Sequence, residues 1–241
     1  MRILKLDSID STNNWLASHE KLLSSPSLVY CVSQTAGRGQ RGNSWESEPG
    51  KNITASILFH PQDFPASKQF MILEAVALAI VDFLRSKGVE AKVKWPNDIY
   101  VGDKKICGTL VEHVVSGKNI TRTIAGFGIN MNQEKFFSNA PNPVSLCMLT
   151  GKQYDIDQSI QELAGFITDY LSQLNNRDKL HKGFTELLWR FDGCEYEFYD
   201  HKEKKSIRGK LNSVGTDGIL SIITQNGENR DYAFKEIEFI I

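Results

Sequence analysis

The sequence predicts an α/β protein, of the α+β kind, with a small β-barrel at its C-terminus. Three observations predict it. Helical periodicity and strand alternation take turns through roughly the first 190 residues. From about Cys194 the helical pattern stops. The roughly 48 residues that remain are short alternating runs broken by Thr216-Asp217-Gly218 and Gln225-Asn226-Gly227, both hairpin signals.

In chain order, Arg2 to Leu6 alternates like a short strand and ends in DSIDSTNN, whose side chains can cap a helix starting near Thr12. Leu28 to Val32 is β-prone and runs into QTAGRGQRGNSW, too glycine-rich for a regular element. Ile53, Ala55, Ile57 and Phe59 alternate with Thr54 and Ser56, which predicts a half-buried strand. Residues 66–87 form the clearest helix. Phe70, Leu73, Ala77, Ile80 and Leu84 keep its apolar spacing, and Gly88 follows as the terminating residue. Strands are expected at Ala91–Lys94, Lys105–Val115 and Arg122–Ile129. A helix over 159–174 starts with a Ser159-x-x-Glu162 capping box, and a shorter helix covers 182–190. His201 to Lys205 reads as a solvated turn.

The 241 residues are 41% hydrophobic and 24% charged, which supports a packed core and excludes disorder, collagen and coiled coil. Lys+Arg 28 against Asp+Glu 29 leaves a net charge of -1 and no basic stripe, so nothing argues for nucleic acid. Cys31, Cys107, Cys147 and Cys194 are dispersed and read as reduced thiols. The N-terminus has no secretory apolar stretch, and no run approaches the ~20 apolar residues of a membrane span. A cytoplasmic protein without a membrane partner is expected.

Gly37-Arg38-Gly39-Gln40-Arg41-Gly42 matches G-x-G-x-x-G, a dinucleotide fingerprint that works only where a helix begins at the loop. Here Asn43-Ser44-Trp45 and a Pro49-Gly50 stop follow, so that reading fails. What remains is a glycine loop whose backbone can approach an anion, with two guanidinium forks beside it. Lys94-Trp95-Pro96-Asn97-Asp98 ends a strand in a turn presenting an amide and a carboxylate. Lys105-Ile106-Cys107-Gly108 puts a lysine at the mouth of a strand, where it must reach solvent or meet an anion. Gly126-Phe127-Gly128-Ile129-Asn130 ends another strand in a polar tip.

Taken together, STN at 11–13, Q-x-A-GRG-x-x-G at 34–42, KWPND at 94–98, K-I-x-G at 105–108 and G-x-G-I-N at 126–130 resemble, in order and spacing, the biotin–protein ligases. The likeness extends over essentially the whole chain, to Gly215–Leu220 near its end. It implies a ligase-type catalytic domain over 1–190, a mixed β-sheet flanked by helices, and an SH3-like barrel over 191–241. It also implies the short form of the family. Larger relatives carry a winged helix-turn-helix ahead of the STN motif, and only ten residues precede Ser11 here.

The resemblance implies the chemistry too. ATP and biotin would be joined as biotinyl-5′-adenylate, with Mg²⁺ on the phosphates, and the biotinyl group passed to a lysine of a biotin carboxyl carrier domain. By that likeness Ser11, Thr12, Asn13, Gln34, Arg38, Gly39, Gln40, Lys105 and Gly108 would bind biotin. Arg38, Arg41, Trp45, Lys94, Asn97, Asp98 and Asn130 would bind ATP. Arg38, Lys105 and Asp98 would be catalytic, with Asp98 a candidate metal ligand and proton acceptor in the transfer step. Two positions depart from the pattern, since Gln40 and Asn43 stand where relatives often carry basic residues. The rivals are a lipoate or octanoate ligase or transferase of the same fold and a non-catalytic biotin sensor. The acceptor and the oligomeric state, a homodimer included, stay open.

Overall fold

The computed structural model describes residues 1–137 and 142–241, and of Arg41 the backbone alone. Arg2–Ile9 is β1, Thr12–His19 is α1, and Ser27–Gln34 is β2. Strand β2 returns parallel to β1, with Arg2 opposite Ser27 and Ile9 opposite Gln34. Ile53–Phe59 (β3) and Phe64–Pro65 (β4) lead into α2, Gln69–Ser86. Lys92–Lys94 (β5), Asp98–Val101 (β6), Lys104–Ser116 (β7) and Asn119–Ile129 (β8) form an antiparallel meander. Three helices follow, Leu146–Thr150 (α3), Ile156–Leu171 (α4) and Arg177–Glu186 (α5). The chain closes with Tyr196–Asp200 (β9), Lys205–Val214 (β10), Leu220–Thr224 (β11), Asn229–Tyr232 (β12) and Ile237–Phe239 (β13).

The strands form two sheets. The first is mixed, in the order β1-β2-β3-β8-β7-β6-β5, with β4 paired to β8. The second, antiparallel sheet has the order β12-β11-β10-β9-β13 and stands where the sequence predicts the barrel. Residues 201–204 make the expected turn, and Gly218 and Gly227 take the left-handed backbone that both hairpin signals call for.

Helix α2 packs on one face of the first sheet and is covered by α4 and α5, so 14 of its 18 residues are buried. A helix enclosed on all sides needs apolar residues all round, which the stretch Phe70–Val81 supplies apart from Glu74. Glu74 is 1% exposed and meets Nδ1 of His181 at 2.6 Å. Desolvation pushes its pKa up, opposed by the imidazole. On the other face, Leu16 of α1 packs with Val29, Leu58 and Ile124.

Three expectations change. All seven residues of β3 are buried, because both faces of the sheet are covered there. Helix α4 starts before Ser159, capped by Asp155, whose carboxylate accepts from Gln158 N at 2.8 Å. Ser159 lies inside the helix and its hydroxyl donates to Asp155 O at 2.6 Å. Helix α5 begins at Arg177, capped by Asn176, since the polar run RDKLHK is helix-forming without apolar periodicity. All four cysteines are free. Among the described residues no helix is long and apolar enough to cross a membrane.

Candidate functional site

The alternation of β8 builds the floor of the site. Gly126 lies opposite Ser56 on β3 and Leu110 on β7, and Gly128 lies opposite Thr54 and Gly108. A Cβ added at Gly126 would stand 2.2 Å from Asn13 Oδ1. One added at Gly128 would stand 2.2 Å from the indole of Trp45. The two glycines are therefore seats. Asn13 occupies the first and Trp45 the second, both drawn hard against the strand.

Around Asn13 the site is hydroxyl and amide. Ser11, Thr12, Asn13 and Ser56 are all buried. Thr12 donates to Gln34 Oε1 from its backbone N at 2.8 Å and from its hydroxyl at 3.2 Å. The Ser56 hydroxyl lies 2.6 Å from Thr12 Oγ1 and also beside Asn13 Oδ1, and its single proton serves one of them. Asn13 Nδ2 donates to Glu112 Oε2 at 2.7 Å. Ser11 holds the N-cap position of α1 yet makes no side-chain capping bond, so the helix does not use its hydroxyl.

Beyond Trp45 the site turns cationic. Lys105 Nζ stands 5.6 Å from the Trp45 ring centre and 2.8 Å from Asp98 Oδ1. Lys94 Nζ lies 5.3 Å from the rings of both Tyr100 and Phe239. Desolvation holds the Lys94 pKa below the ordinary lysine value, opposed by the Asp98 carboxylate. Asn97 gives its amide to Thr109 O and accepts from Thr109 Oγ1 at 3.0 Å, which staples the turn presenting Asp98 onto β7. Two of the buried polar atoms in the cleft have no hydrogen-bond partner among the described residues: Trp45 Nε1, a donor, and Asn130 Oδ1, an acceptor. Each unpaired group costs about 1–3 kcal/mol in a dry site, which a ligand can return.

The glycine loop folds on itself above this floor. Gly39 N donates to Asn43 O at 2.7 Å and Trp45 N to Gly37 O at 2.9 Å, around a single 3-10 turn at Gln40–Gly42. Gln40 and Asn43 both line the cleft. Arg38 leaves the loop toward α1 and β7. Its Nη2 meets Glu112 Oε1 at 2.8 Å, and its Nη1 meets Asn14 Oδ1 at 2.9 Å and Glu112 Oε2 at 3.4 Å.

The second sheet supplies the rim through Lys235, Ile237, Glu238 and Phe239. It is bonded to the same turn, since Trp95 Nε1 donates to Gly218 O at 3.0 Å and the Trp95 ring meets Phe234 edge-on at 5.3 Å.

One cleft of about 610 Å³ thus gathers Ser11, Thr12, Asn13, Gln34, Arg38, Gly39, Gln40, Trp45, Lys94, Asn97, Asp98, Lys105, Gly108 and Asn130. The Arg41 side chain lies outside the described residues. Ser56, Glu112 and the rim are additions to that set. A signal existed for two of them: Ser56 is, with Thr54, one of two polar residues in an otherwise apolar strand, and Glu112 continues the Gly108–Leu110 face of β7. Nothing local marks Lys235 or Glu238.

Known proteins share this fold and much of this sequence. The chain is 29% identical over 216 residues to the bifunctional ligase/repressor BirA of Bacillus spizizenii, covering 86% of this chain and 64% of that protein. It is 29% identical over 173 residues to the biotin–[acetyl-CoA-carboxylase] ligase of Paracoccus denitrificans, covering 69% and 71%. The biotin protein ligase of Aquifex aeolicus, solved with biotin and ATP, superposes with a TM-score of 0.81 at 24% identity, over 99% of this chain and 98% of that one. This chain spans about two-thirds of the Bacillus relatives' length, 64% in each. The Biotin/lipoate A/B protein ligase family model matches residues 5–130, just over half of the sequence, and the chain belongs to that family.

Proposed function

We propose that the protein is an ATP-dependent ligase. It joins biotin to ATP as biotinyl-5′-adenylate with release of pyrophosphate, then transfers the biotinyl group to a lysine of a biotin carboxyl carrier domain. One observation carries this reading: a hydroxyl-and-amide pole and a lysine pole share one cleft, with Trp45 seated between them on β8. The Paracoccus relative is named a biotin–[acetyl-CoA-carboxylase] ligase, and the Aquifex fold neighbour is described in complex with biotin and ATP, which supports the assignment.

A ureido ring offers N–H and C=O edges, and Ser11, Thr12, Asn13, Gln34 and Ser56 supply the matching acceptors and donors. A lipoyl or octanoyl chain offers neither, so the spare lone pairs and donor hydrogens of this pole would gain no partner from it. In the first step a biotin carboxylate oxygen bonds to the α-phosphorus as the bond to the pyrophosphate oxygen breaks. Two anions must approach. Lys105, Lys94 and Arg38 stand fixed as cations before the charge develops, and Asp98 holds Lys105 in its orientation. Holding both reactants in line supplies about 7–11 kcal/mol of the barrier on its own. Trp45 offers a face for stacking, and the unpaired Asn130 Oδ1 an acceptor for an amino group of the base.

Among the described residues no cluster of three metal-ligating side chains exists. Mg²⁺ takes one or two carboxylates and completes its shell with phosphate oxygens and water. Asp98 is the carboxylate that would hold it, and the ion would offset phosphate charge. In the second step the acceptor amine attacks the adenylate carbonyl, AMP leaves, and the amine gives up a proton. An amine with a pKa of about 10.4 arrives protonated, so it loses one proton before it attacks and a second as the amide forms; Asp98 is the acceptor in reach of the lysine pole for the first, and the second passes to the departing phosphate or solvent. The same reading divides the chain into a catalytic unit over 1–190 and a rim unit over 191–241.

The test is calorimetric, with biotin and then lipoate titrated into the protein with and without Mg-ATP. Biotin binding with reaction heat and released pyrophosphate establishes the ligase. Biotin binding without pyrophosphate makes it a sensor, and lipoate binding alone makes it an acyl ligase.

A further inference from the structure

We propose that Glu112 is a positioning residue of the adenylation step, acting through Arg38 and Asn13; this rests on the ligase reading above. Glu112 does not line the cleft, whereas Arg38 and Asn13 both do. It sits on β7, opposite Ile124 of β8 and beyond Gly108, where the pairing of β7 with β6 ends, and its side chain is 40% exposed. Its two oxygens are divided. Oε1 takes Arg38 Nη2 at 2.8 Å, while Oε2 takes Asn13 Nδ2 at 2.7 Å and Arg38 Nη1 at 3.4 Å. One carboxylate on β7 therefore ties the polar pole of the cleft to the cation of the glycine loop.

The donor arithmetic of the guanidinium gives this tie a direction. Arg has five N–H groups, and Glu112 with Asn14 engages both hydrogens of Nη1 and one of Nη2. Among the described residues the Nε–H and the second Nη2 hydrogen have no partner. Those two lie along one edge of the plane and form a fork matched to a carboxylate or a phosphate. With one edge taken by Glu112 from outside the cleft, the other edge is left for an anion within it. The loop alone would not fix that orientation. Its backbone bonds are internal, and the Arg38 side chain is 41% exposed.

The experiment is a double-mutant cycle of E112Q with R38A, read as the single-turnover rate of biotin-dependent pyrophosphate release. Glutamine keeps an acceptor for Asn13 and removes the charge that holds Arg38. E112Q is expected to slow release about tenfold in the wild-type background, the scale expected when a reacting cation is misplaced. In the R38A background it should change the rate less than about twofold. E112D, one methylene shorter but charged, should recover part of the loss. Trypsin should cleave after Arg38 several-fold faster in ligand-free E112Q than in the wild type. An E112Q protein with wild-type rate and wild-type cleavage overturns the proposal, as does an equal loss with and without Arg38. A wild-type protein that releases no pyrophosphate with biotin overturns the ligase reading itself, and this inference with it.

Discussion

Lys105 Nζ and Asp98 Oδ1 stand 2.8 Å apart on adjacent antiparallel strands, each side chain about one-fifth exposed at the cleft wall. A pair so placed is screened less than a surface ion pair, and its geometry matters more than its contribution to stability. Lys105→Met is expected to lower the rate of pyrophosphate release about 10²–10³-fold, as loss of a fixed charge at a developing anion does. Asp98→Asn leaves Lys105 without its anchor and should slow release about tenfold. It should also slow biotinyl transfer from preformed adenylate. Unchanged release would reject the anchoring role, and unchanged transfer the proton-acceptor role.

The two glycine seats should separate the substrates. Gly126→Ala displaces Asn13 and should raise the biotin dissociation constant about tenfold or more while ATP binding changes little. Gly128→Ala displaces Trp45 and should do the reverse, with a shift in the indole fluorescence. Titration of each ligand into both variants checks this, and a common loss of both ligands would contradict it.

Trp95 links the KWPND turn to the second sheet through Gly218 O. Trp95→Phe keeps most of the ring and leaves that carbonyl without its donor. A loss of about 1–2 kcal/mol in denaturant unfolding is expected, together with a several-fold rise in KM for ATP as the turn loosens. A variant that is less stable but has an unchanged KM would confine the bond to a structural role.

Asp200 anchors the second sheet. It is 2% exposed and accepts from Lys202 N at 2.8 Å, Glu203 N at 3.0 Å and the Tyr232 hydroxyl at 2.8 Å. Burial pushes its pKa up, but these bonds and Arg230 outweigh burial and leave it below the ordinary value. A depressed carboxylate contributes stability above the unfolded pKa of about 3.9, and that stability is lost as pH falls through the folded value. Asp200→Asn should therefore cost about 1–3 kcal/mol at pH 7. The difference from wild type should shrink as pH falls below about 3.9 and vanish once the folded carboxyl is itself protonated. Unfolding measured from pH 7 downward checks it.

Much of the site was legible in the sequence because each of its strings is short and contiguous. STN, the glycine loop, KWPND, Lys105 and Asn130 each fall where a strand or helix begins or ends, which spacing and turn chemistry reveal. Which of them touch was hidden. Nothing in a linear reading puts Asn13 on Gly126 or Arg38 on Glu112, because those contacts depend on β8 entering the sheet beside β3. The early start of α5 was hidden for another reason, since Arg177 to Lys182 is polar and its helix is set by the Asn176 cap. The rim was illegible because Lys235 and Glu238 reach the cleft only through packing between the two sheets.

The order of strands in the first sheet also bears on synthesis. Strand β8 is the last of that sheet in the chain, yet it lies between β3 and β7. Until it emerges, β1-β2-β3 and β7-β6-β5 are two separate half-sheets with no shared edge. Both seats, at Gly126 and Gly128, are on the strand that joins them. A nascent chain therefore carries STN, the glycine loop, KWPND and Lys105 for some time without the floor that unites them, and acquires that floor when β8 zips the halves together, the rim at Lys235–Phe239 following later.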